Sequence, residues 1–577
     1  MTPVGQTLGA PVPIRPAAGR PDNSHQIPVA AGLGDGLYWQ GHERWLSTRF
    51  RTIGQFMNNN NVPAILRSLI VYAVCVPLAI FVGYSLANPA DLGTVGFYGL
   101  LGAGLASPLF LRWHKELLVF SWSASMTVFF LPGQPNFWLV MVAISLGISI
   151  MERIISHDMR FIRVPQVTWP LLIFLAVVIF TAELTGGIGL RAFGSTVYGG
   201  KKYVYLFVSI ASYFALTARP IPREKAPLFV TLFFLGQLTA MIGDLFPICP
   251  AWMTPLFFIF PPTASAQEVF QIGVTRLGGV GQAGMALAFL MMAKWGLRGI
   301  FLSGKPWRIL FLTAAVTLVF LGGYRSSLLW FLAVFTLMFF WEGLHRTPML
   351  MIMVLLGTLG IAALVPLAHT LPFTFQRSLA FLPLELDADA RMSAEDSIDW
   401  RLNMWEALLP QIPPHLFLGK GLAFSAEEFN EMMSGNLALE TAAAKIDDSQ
   451  NSLALANDFH NGMLSLIIPF GIWGVIAVLW FLAAGTRVLY LNAKYGGPDL
   501  QLVNAFLMMM FVWEALGFVS CVAGMQIAAE LTNFAGFLGL SISLNNGVCR
   551  PEGEKVEILP SVVPFRSFAR PRPVFLR

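Results

Sequence analysis

Charged side chains are scarce in this sequence. Of its 577 residues only 12% are Asp, Glu, Lys or Arg, against about 25% in a typical soluble domain, and 56% are hydrophobic. Apolar blocks recur between residues 65 and 544, and the run 117–131 is one that predicts a helix of its own. A transmembrane helix needs roughly 20 apolar residues. The composition therefore predicts an all-α fold, a polytopic membrane helical bundle of about 12–14 transmembrane helices.

Motifs for redox, metal or nucleotide chemistry are also missing. The cysteines are far apart, form no CxxC pair and are interpreted as packing residues. No Walker loop occurs. Asp387 and Asp389 imitate a metal-binding Asp-x-Asp pair, but they lie in a polar stretch without a supporting His, so solvated acids are the favoured interpretation. We therefore predict no metal and no cofactor.

The apolar blocks and the polar segments between them divide the chain. Residues 369–461 form the one long polar segment between predicted spans, and connections of that length are usually functional or disordered. The predicted organisation is a disordered cytoplasmic tail (1–36, without the apolar region of a signal peptide), an interfacial amphipathic segment (37–64), a transmembrane bundle (65–368), an extracytoplasmic loop (369–461), C-terminal transmembrane helices (462–544) and a basic cytoplasmic tail (545–577).

The net charge is +5. In a membrane protein, Lys and Arg residues first reflect orientation in the membrane, so this charge does not predict a nucleic-acid partner. Lys and Arg gather in alternate connections, which predicts that both termini are cytoplasmic. The basic residues left on the outer side need another explanation; they are Arg191, Lys201, Lys202, Arg276, Arg325, Arg377, Arg391, Arg401, Lys420 and Lys445.

Within the long loop, "DSIDWRLNMWEALLP" predicts one amphipathic helix lying on the membrane surface. Asp396 or Ser397 would cap it, and Pro410 would end it. Its expected apolar stripe consists of Ile398, Leu402, Trp405 and Leu409. Arg401 lies at the edge of this stripe.

The outer-side arginines Arg276, Arg325 and Arg401 have no acidic residue three or four positions away. A planar guanidinium binds phosphate through two donors, so a lipid-linked phosphate would satisfy them. Simple extension of each side chain to lipid head groups is the alternative. Arg191 is a fourth candidate for the same ligand. His460 is the candidate acid or base, and a plain helix cap is its alternative role.

The ordered motifs RLGG, GGYRSS, R-x-x-x-W-x-A-L-x-P, G-x-G and HN, between residues 276 and 461, resemble the O-antigen ligase and O-antigen polymerase family of bacterial envelope glycosyltransferases. The resemblance implies a GT-C-like, metal-independent, inverting enzyme in the bacterial inner membrane, acting on its extracytoplasmic face. Arg276, Arg325 and Arg401 would hold the pyrophosphate of an undecaprenyl-linked glycan, and His460 would act on the acceptor hydroxyl. Catalysis would thus rest on His460, Arg401 and Arg325.

The implied partners are the undecaprenyl-pyrophosphate-linked glycan, membrane lipids and an acceptor that is a glycan, a lipid or a protein. Polymerase, ligase and protein oligosaccharyltransferase therefore all stay open. The competing class is a transporter or flippase of a lipid-linked or anionic substrate, which Glu514 and Glu530 inside predicted spans would suit. Hydropathy shows no internal repeat, and the polar outliers gather at one face, which favours the enzyme.

Overall fold

The computed structural model describes scattered residues of 72–83 and then 92–131, 133–156, 160–189, 197–266, 276–428, 430, 457–520 and 526–551. The chain divides into two units, 1–90 and 91–577; in the first, the described residues between 72 and 83 are helical. The predictions for 1–36, for 37–64, for Arg191 and for most of 545–577 lie outside the described residues.

The second unit is helical, and its described part contains two isolated bridges but no strand. Its principal helices are α1 (Leu92–Ser121), α2 (Phe137–Ile155), α3 (Pro165–Leu184), α4 (Gly200–Thr217), α5 (Ala226–Leu235), α6 (Gly278–Phe301), α7 (Pro306–Leu321), α8 (Arg325–Trp341), α9 (Met349–Leu367), α10 (Ala388–Leu408), α11 (Leu464–Tyr495), α12 (Pro498–Val519) and α13 (Ile527–Leu544).

Length and apolar composition allow eight helical segments of the described chain to cross a membrane, and α7 and α8 are shorter apolar helices. The eight include α2, α3, α6, α9, α11, α12 and α13, together with the segment 223–248 that contains α5. No residue of the apolar stretch of α9 is buried within the protein. In α13, by contrast, nearly the whole apolar stretch is buried. The predicted class, an all-α polytopic membrane bundle, is thus confirmed.

One expected span is wrong. The apolar run 117–131 was expected to form a helix of its own, but α1 passes through a non-helical residue at Trp113 and ends at Ser121. Residues beyond it form turns, because polar groups there bond to other helices: Ser123 Oγ donates to the Phe233 carbonyl at 2.7 Å, and the Ser125 N–H donates to Thr239 Oγ1 at 2.8 Å. Such bonds compete with the helical ladder.

The centre of the bundle is built from aromatic rings of the last three helices. Phe481 of α11, Phe511 of α12 and Phe534 of α13 are at most 1% exposed, and their ring centroids lie 5.1–6.5 Å apart. Edge-to-face packing of this kind adds to the burial of apolar area. Truncating one such ring to Ala would cost about 3–5 kcal/mol.

Glycines bring α6 and α7 together. Gly279, Gly281 and Gly284 have the spacing G-x-G-x-x-G, but they lie inside α6 instead of between a strand and a helix, so they do not form a dinucleotide loop. A Cβ on Gly281 would stand 2.9 Å from Gly322 Cα, and one on Gly284 would stand 2.6 Å from the Ala315 carbonyl oxygen. The small residues therefore allow close helix packing, which fixes the end of α6 that follows Arg276.

A break in α11 holds the end of the long connection in place. Gly471 has φ +64°, and with Pro469 it interrupts the helix. The carbonyls of Ile468 and Pro469 accept the N–H groups of Lys420 and Gly421 at 2.7 and 2.9 Å. The G-x-G motif thus attaches the connection to a membrane helix through the backbone.

The predicted start of the loop helix is also wrong. α10 begins at Ala388, after Asp387, well before Asp396 and Ser397. Gln376 fixes this earlier start, because its Oε1 accepts the Asp387 N–H and its Nε2 donates to Asp387 Oδ2, both at 2.8 Å.

Of the expected apolar stripe of α10, only Trp405 faces the protein, where it packs against buried residues. Ile398, Leu402 and Leu409 are 45–54% exposed, whereas Met404 and Leu408 are buried. The exposed side chains leave an apolar face pointing away from the core, as the prediction of a helix at the membrane surface requires.

Candidate functional site

The first arginine of the candidate site packs against the turn between α7 and α8. Arg276, two residues before α6, is 8% exposed, and its guanidinium carbon lies 5.5 Å from the ring centroid of Tyr324. Gly323, at φ +67°, permits this approach, since a Cβ there would stand 3.2 Å from Arg276 Cδ. The Gly-Gly-Tyr-Arg motif therefore shapes the backbone around one arginine and supplies the next.

Arg325 joins the membrane helices to the long connection. It is the first residue of α8, and its Nη2 donates to the Ala394 carbonyl of α10 at 2.5 Å. The charges of Arg401 and Arg377 both act on its guanidinium. This hydrogen bond brings α10, and with it Arg401, to the end of the bundle at which α8 begins.

A residue without a predicted role in the site, Arg377, lies within the same cluster. It belongs to the short helix Phe373–Ser378. Burial lowers the pKa of its guanidinium, and its positive charge acts on those of Arg276, Arg325 and Arg401. Arg377 is therefore the common neighbour of the three predicted arginines. The sequence marked it only as an unexplained outer-side charge.

The cluster concentrates positive charge in a partly buried place. Burial, followed by the like charge of Arg377, lowers the pKa of both Arg401 and Arg276. Among the described residues, no carboxylate forms an ion pair with Arg325, Arg377 or Arg401. Arginine stays protonated even so, and repulsion between the guanidinium groups is relieved when an anion binds between them.

His460 lies next to this cluster in an unusual backbone conformation. Its φ is +46°, a left-handed value that is uncommon outside glycine and marks functional sites when the surroundings enforce it. The Trp400 ring stands edge-on to the imidazole with centroids 5.6 Å apart. Burial is the main cause that lowers the pKa of His460; Asp458 opposes this shift and the Arg401 charge adds to it.

The helix-cap role belongs to the neighbouring residue. Asn461 Oδ1 accepts the N–H of Leu464, the first residue of α11, at 3.0 Å, as a helix-start residue does. Trp405 Nε1 donates to the Phe459 carbonyl at 2.8 Å and attaches the turn to α10. His460 is therefore left to face Trp400 and Arg401 instead of capping the helix.

Four of the predicted residues thus come together: Arg276, Arg325, Arg401 and His460. Their chemical roles stay predictions. Asp387 is already bonded to Gln376, and it serves to start α10. Within the bundle, Asn533 Nδ2 donates to Glu514 Oε1 at 2.6 Å between α13 and α12, a contact that fits a brace between helices.

Helices and site together define a polytopic membrane protein with a cationic, His-containing site at one end of its bundle. Residues 309–479 match the family model described as O-antigen ligase, which confirms the resemblance over that segment. The match contains Arg325, Arg377, Arg401 and His460, whereas Arg276 precedes it. It supports ligation or polymerisation of envelope glycans at a membrane. No curated protein matches the chain.

Proposed function

We propose that this protein is a membrane glycosyltransferase that transfers or polymerises a glycan from an undecaprenyl-pyrophosphate-linked donor onto an acceptor hydroxyl. The observation that carries the proposal is the convergence of Arg276, Arg325 and Arg401 on Arg377, next to His460. A pyrophosphate supplies the anion that such a cluster favours. The lipid tail brings the activated donor through the membrane.

The reaction is a displacement at the anomeric carbon. The acceptor oxygen bonds to that carbon while the bond from the carbon to the pyrophosphate oxygen breaks, and the acceptor proton passes to His460. Negative charge grows on the leaving pyrophosphate, so fixed arginine charges stabilise the transition state more than the ground state. Attack from the side opposite the leaving group inverts the anomeric centre, and no metal is required.

Histidine suits the role of base at this position. Burial and the Arg401 charge lower the pKa of His460 below its ordinary value of 6.5, so the imidazole is neutral and able to accept a proton near pH 7. The nearby carboxylate of Asp458 limits this shift and stabilises the imidazolium that forms. The acceptor hydroxyl has to lie within hydrogen-bond reach of the ring.

The proposed orientation places this site on the extracytoplasmic face of the bacterial inner membrane, with both termini in the cytoplasm. The positive-inside distribution supports this orientation.

The acceptor is a glycan, a lipid or a protein, and we favour polymerisation, because the long connection offers a polar surface for a growing chain.

The test is glycan transfer by the purified full-length protein, given an undecaprenyl-pyrophosphate-linked oligosaccharide and an acceptor glycan. We expect Arg401→Ala and His460→Ala to lower the product by at least about 10²-fold while membrane insertion is unchanged. The matched control is Arg391→Ala, on the same helix α10 but exposed and bonded to the Leu384 carbonyl. Normal product from both site variants would overturn the assignment.

A further inference from the structure

A cavity lies at the start of α4, away from the arginines. Its volume is about 360 Å³, within the range of roughly 300–1,000 Å³ that small-molecule sites occupy. Three parts of the chain line it: the first turns of α4, the first turn of α13, and two pieces of the long connection that include Phe424 and Asn457. The same connection carries the candidate active site.

One wall of this cavity is a pair of stacked aromatic rings. Tyr198 and Phe424 lie with their ring centroids 5.6 Å apart and their planes 13° from parallel. Their backbones exchange two hydrogen bonds, Tyr198 N–H to the Phe424 carbonyl at 2.8 Å and Phe424 N–H to the Tyr198 carbonyl at 3.0 Å. The wall is therefore rigid. A flat ring offers an apolar surface to the C–H face of a pyranose.

Two lysines supply the charge of the cavity. Burial, followed by the like charge of Lys420, lowers the pKa of Lys202 to about 7, so a bound anion is what keeps this lysine fully protonated. Lys202 Nζ donates to Asn457 Oδ1 at 2.7 Å and stands 4.7 Å from the Phe424 ring centroid, and Lys201 Nζ lies 5.9 Å from that of Tyr205. No carboxylate belongs to the described lining. Glu428, the carboxylate that acts on Lys202, forms an ion pair with Lys420 at 3.1 Å. Two lysines beside aromatic rings and an amide favour an anionic, hydroxyl-rich ligand.

The cavity is close to the candidate base. Asn457 precedes His460 by three residues, which span at most about 11 Å. Both have left-handed backbones, at φ +59° and +46°, so one strained turn carries both side chains. His460 contacts the Trp400 ring and lies near Arg401 of the arginine cluster. Asn457, at the other end of the turn, bonds to Lys202 in the cavity.

We propose that this cavity binds an acidic sugar unit, one that carries a carboxylate or phosphate group, within the acceptor glycan. The inference rests on the proposed function, in which the arginines hold the donor pyrophosphate. Tyr198 and Phe424 pack against the sugar ring, Lys202 and Lys201 attract its anionic group, and Asn457 bonds to a hydroxyl. The acceptor is thereby held a short distance from His460.

Binding tests the cavity independently of catalysis. Fluorescent trigalacturonate is titrated into full-length protein in nanodiscs of phosphatidylcholine, with maltotriose as the uncharged comparison. We expect saturable binding of trigalacturonate, weakened roughly tenfold or more by Lys202→Met and by Tyr198→Ala, and restored in part by Lys202→Arg. Arg401→Ala is expected to bind normally, and so is the control Lys305→Met, an exposed lysine before α7.

Absence of trigalacturonate binding, equal binding of maltotriose, or binding unaffected by Lys202→Met and Tyr198→Ala would each overturn the inference. Phosphatidylglycerol nanodiscs separate a sugar site from a lipid head-group site: full loss of trigalacturonate binding in them would also overturn it. In the transfer assay with an acidic acceptor, Lys202→Met should raise the acceptor KM and leave the donor KM unchanged. A failed transfer assay with intact binding would count against the proposed function alone.

Discussion

The indole of Trp400 stands edge-on to the imidazole of His460, with ring centroids 5.6 Å apart and planes at 67°. Trp400 precedes Arg401 in α10, so one helix positions the aromatic neighbour of the candidate base and an arginine of the anion site. The turn 457–460 is attached to the same helix through Trp405 and the Phe459 carbonyl. The candidate base and the candidate anion site therefore both depend on α10 for their position.

Arg377 should contribute to donor binding. Replacing it with Ala removes the charge common to the three other arginines, and we expect the donor KM to rise and the rate constant to fall by about 10²-fold. Arg377→Lys keeps the charge but loses the two-donor fork, so partial activity is expected. Steady-state kinetics with varied lipid-linked donor measures both. Wild-type kinetics in Arg377→Ala would remove this residue from the site.

The pH dependence of the reaction should follow His460. In the proposed reaction its neutral form is the base, so we expect kcat/KM to rise as pH increases through its pKa, which burial and the Arg401 charge lower from the ordinary value. Asp458→Asn removes the charge that raises this pKa, so the acidic limb should move to lower pH. The matched control, Asp499→Asn at the start of α12, should not move it. A shift to higher pH in Asp458→Asn would contradict this assignment.

Substitutions at His460 and at Asn461 should have different effects, the first on glycan transfer and the second on stability. Asn tolerates a left-handed backbone, so His460→Asn should lose glycan transfer and keep the thermal unfolding midpoint of the wild type. Asn461→Ala loses the bond to the Leu464 N–H and should destabilise the protein by about 1 kcal/mol. Thermal unfolding in detergent compares the two variants. Equal destabilisation with equal residual activity would return His460 to a capping role.

The G-x-G attachment should be sensitive to a single methyl group. A Cβ on Gly419, at φ +78°, would stand 2.6 Å from the Pro469 carbonyl carbon. Gly419→Ala should therefore cost more than about 1 kcal/mol and lower the unfolding temperature. The control is Gly357→Ala in α9, where a Cβ meets nothing within 4 Å and the helix gains from Ala. Equal midpoints in both variants would show that the attachment contributes no stability.

The features that could be predicted from the sequence are those that depend on residues close together in the chain. Apolar periods predicted the helical bundle, and the lack of acidic neighbours singled out Arg276, Arg325 and Arg401. Arg377 also has no acidic residue three or four positions away, so the same pattern could have singled it out. It was missed as a site residue because its partners are remote in sequence. The start of α10 was missed because Gln376 determines it by binding Asp387 across an intervening turn. The serines after α1 likewise bond to remote helices, which local hydropathy does not register.

The attachment of the G-x-G motif to α11 bears on how such proteins diversify. Its bonds run from the N–H groups of Lys420 and Gly421 to the carbonyls of Ile468 and Pro469, so they are indifferent to most side chains. Mutations can therefore change the chemistry of the connection while its anchorage persists. Under the proposed function, new acceptor preferences can therefore evolve without redesign of the membrane bundle, as long as the glycines and the helix break remain.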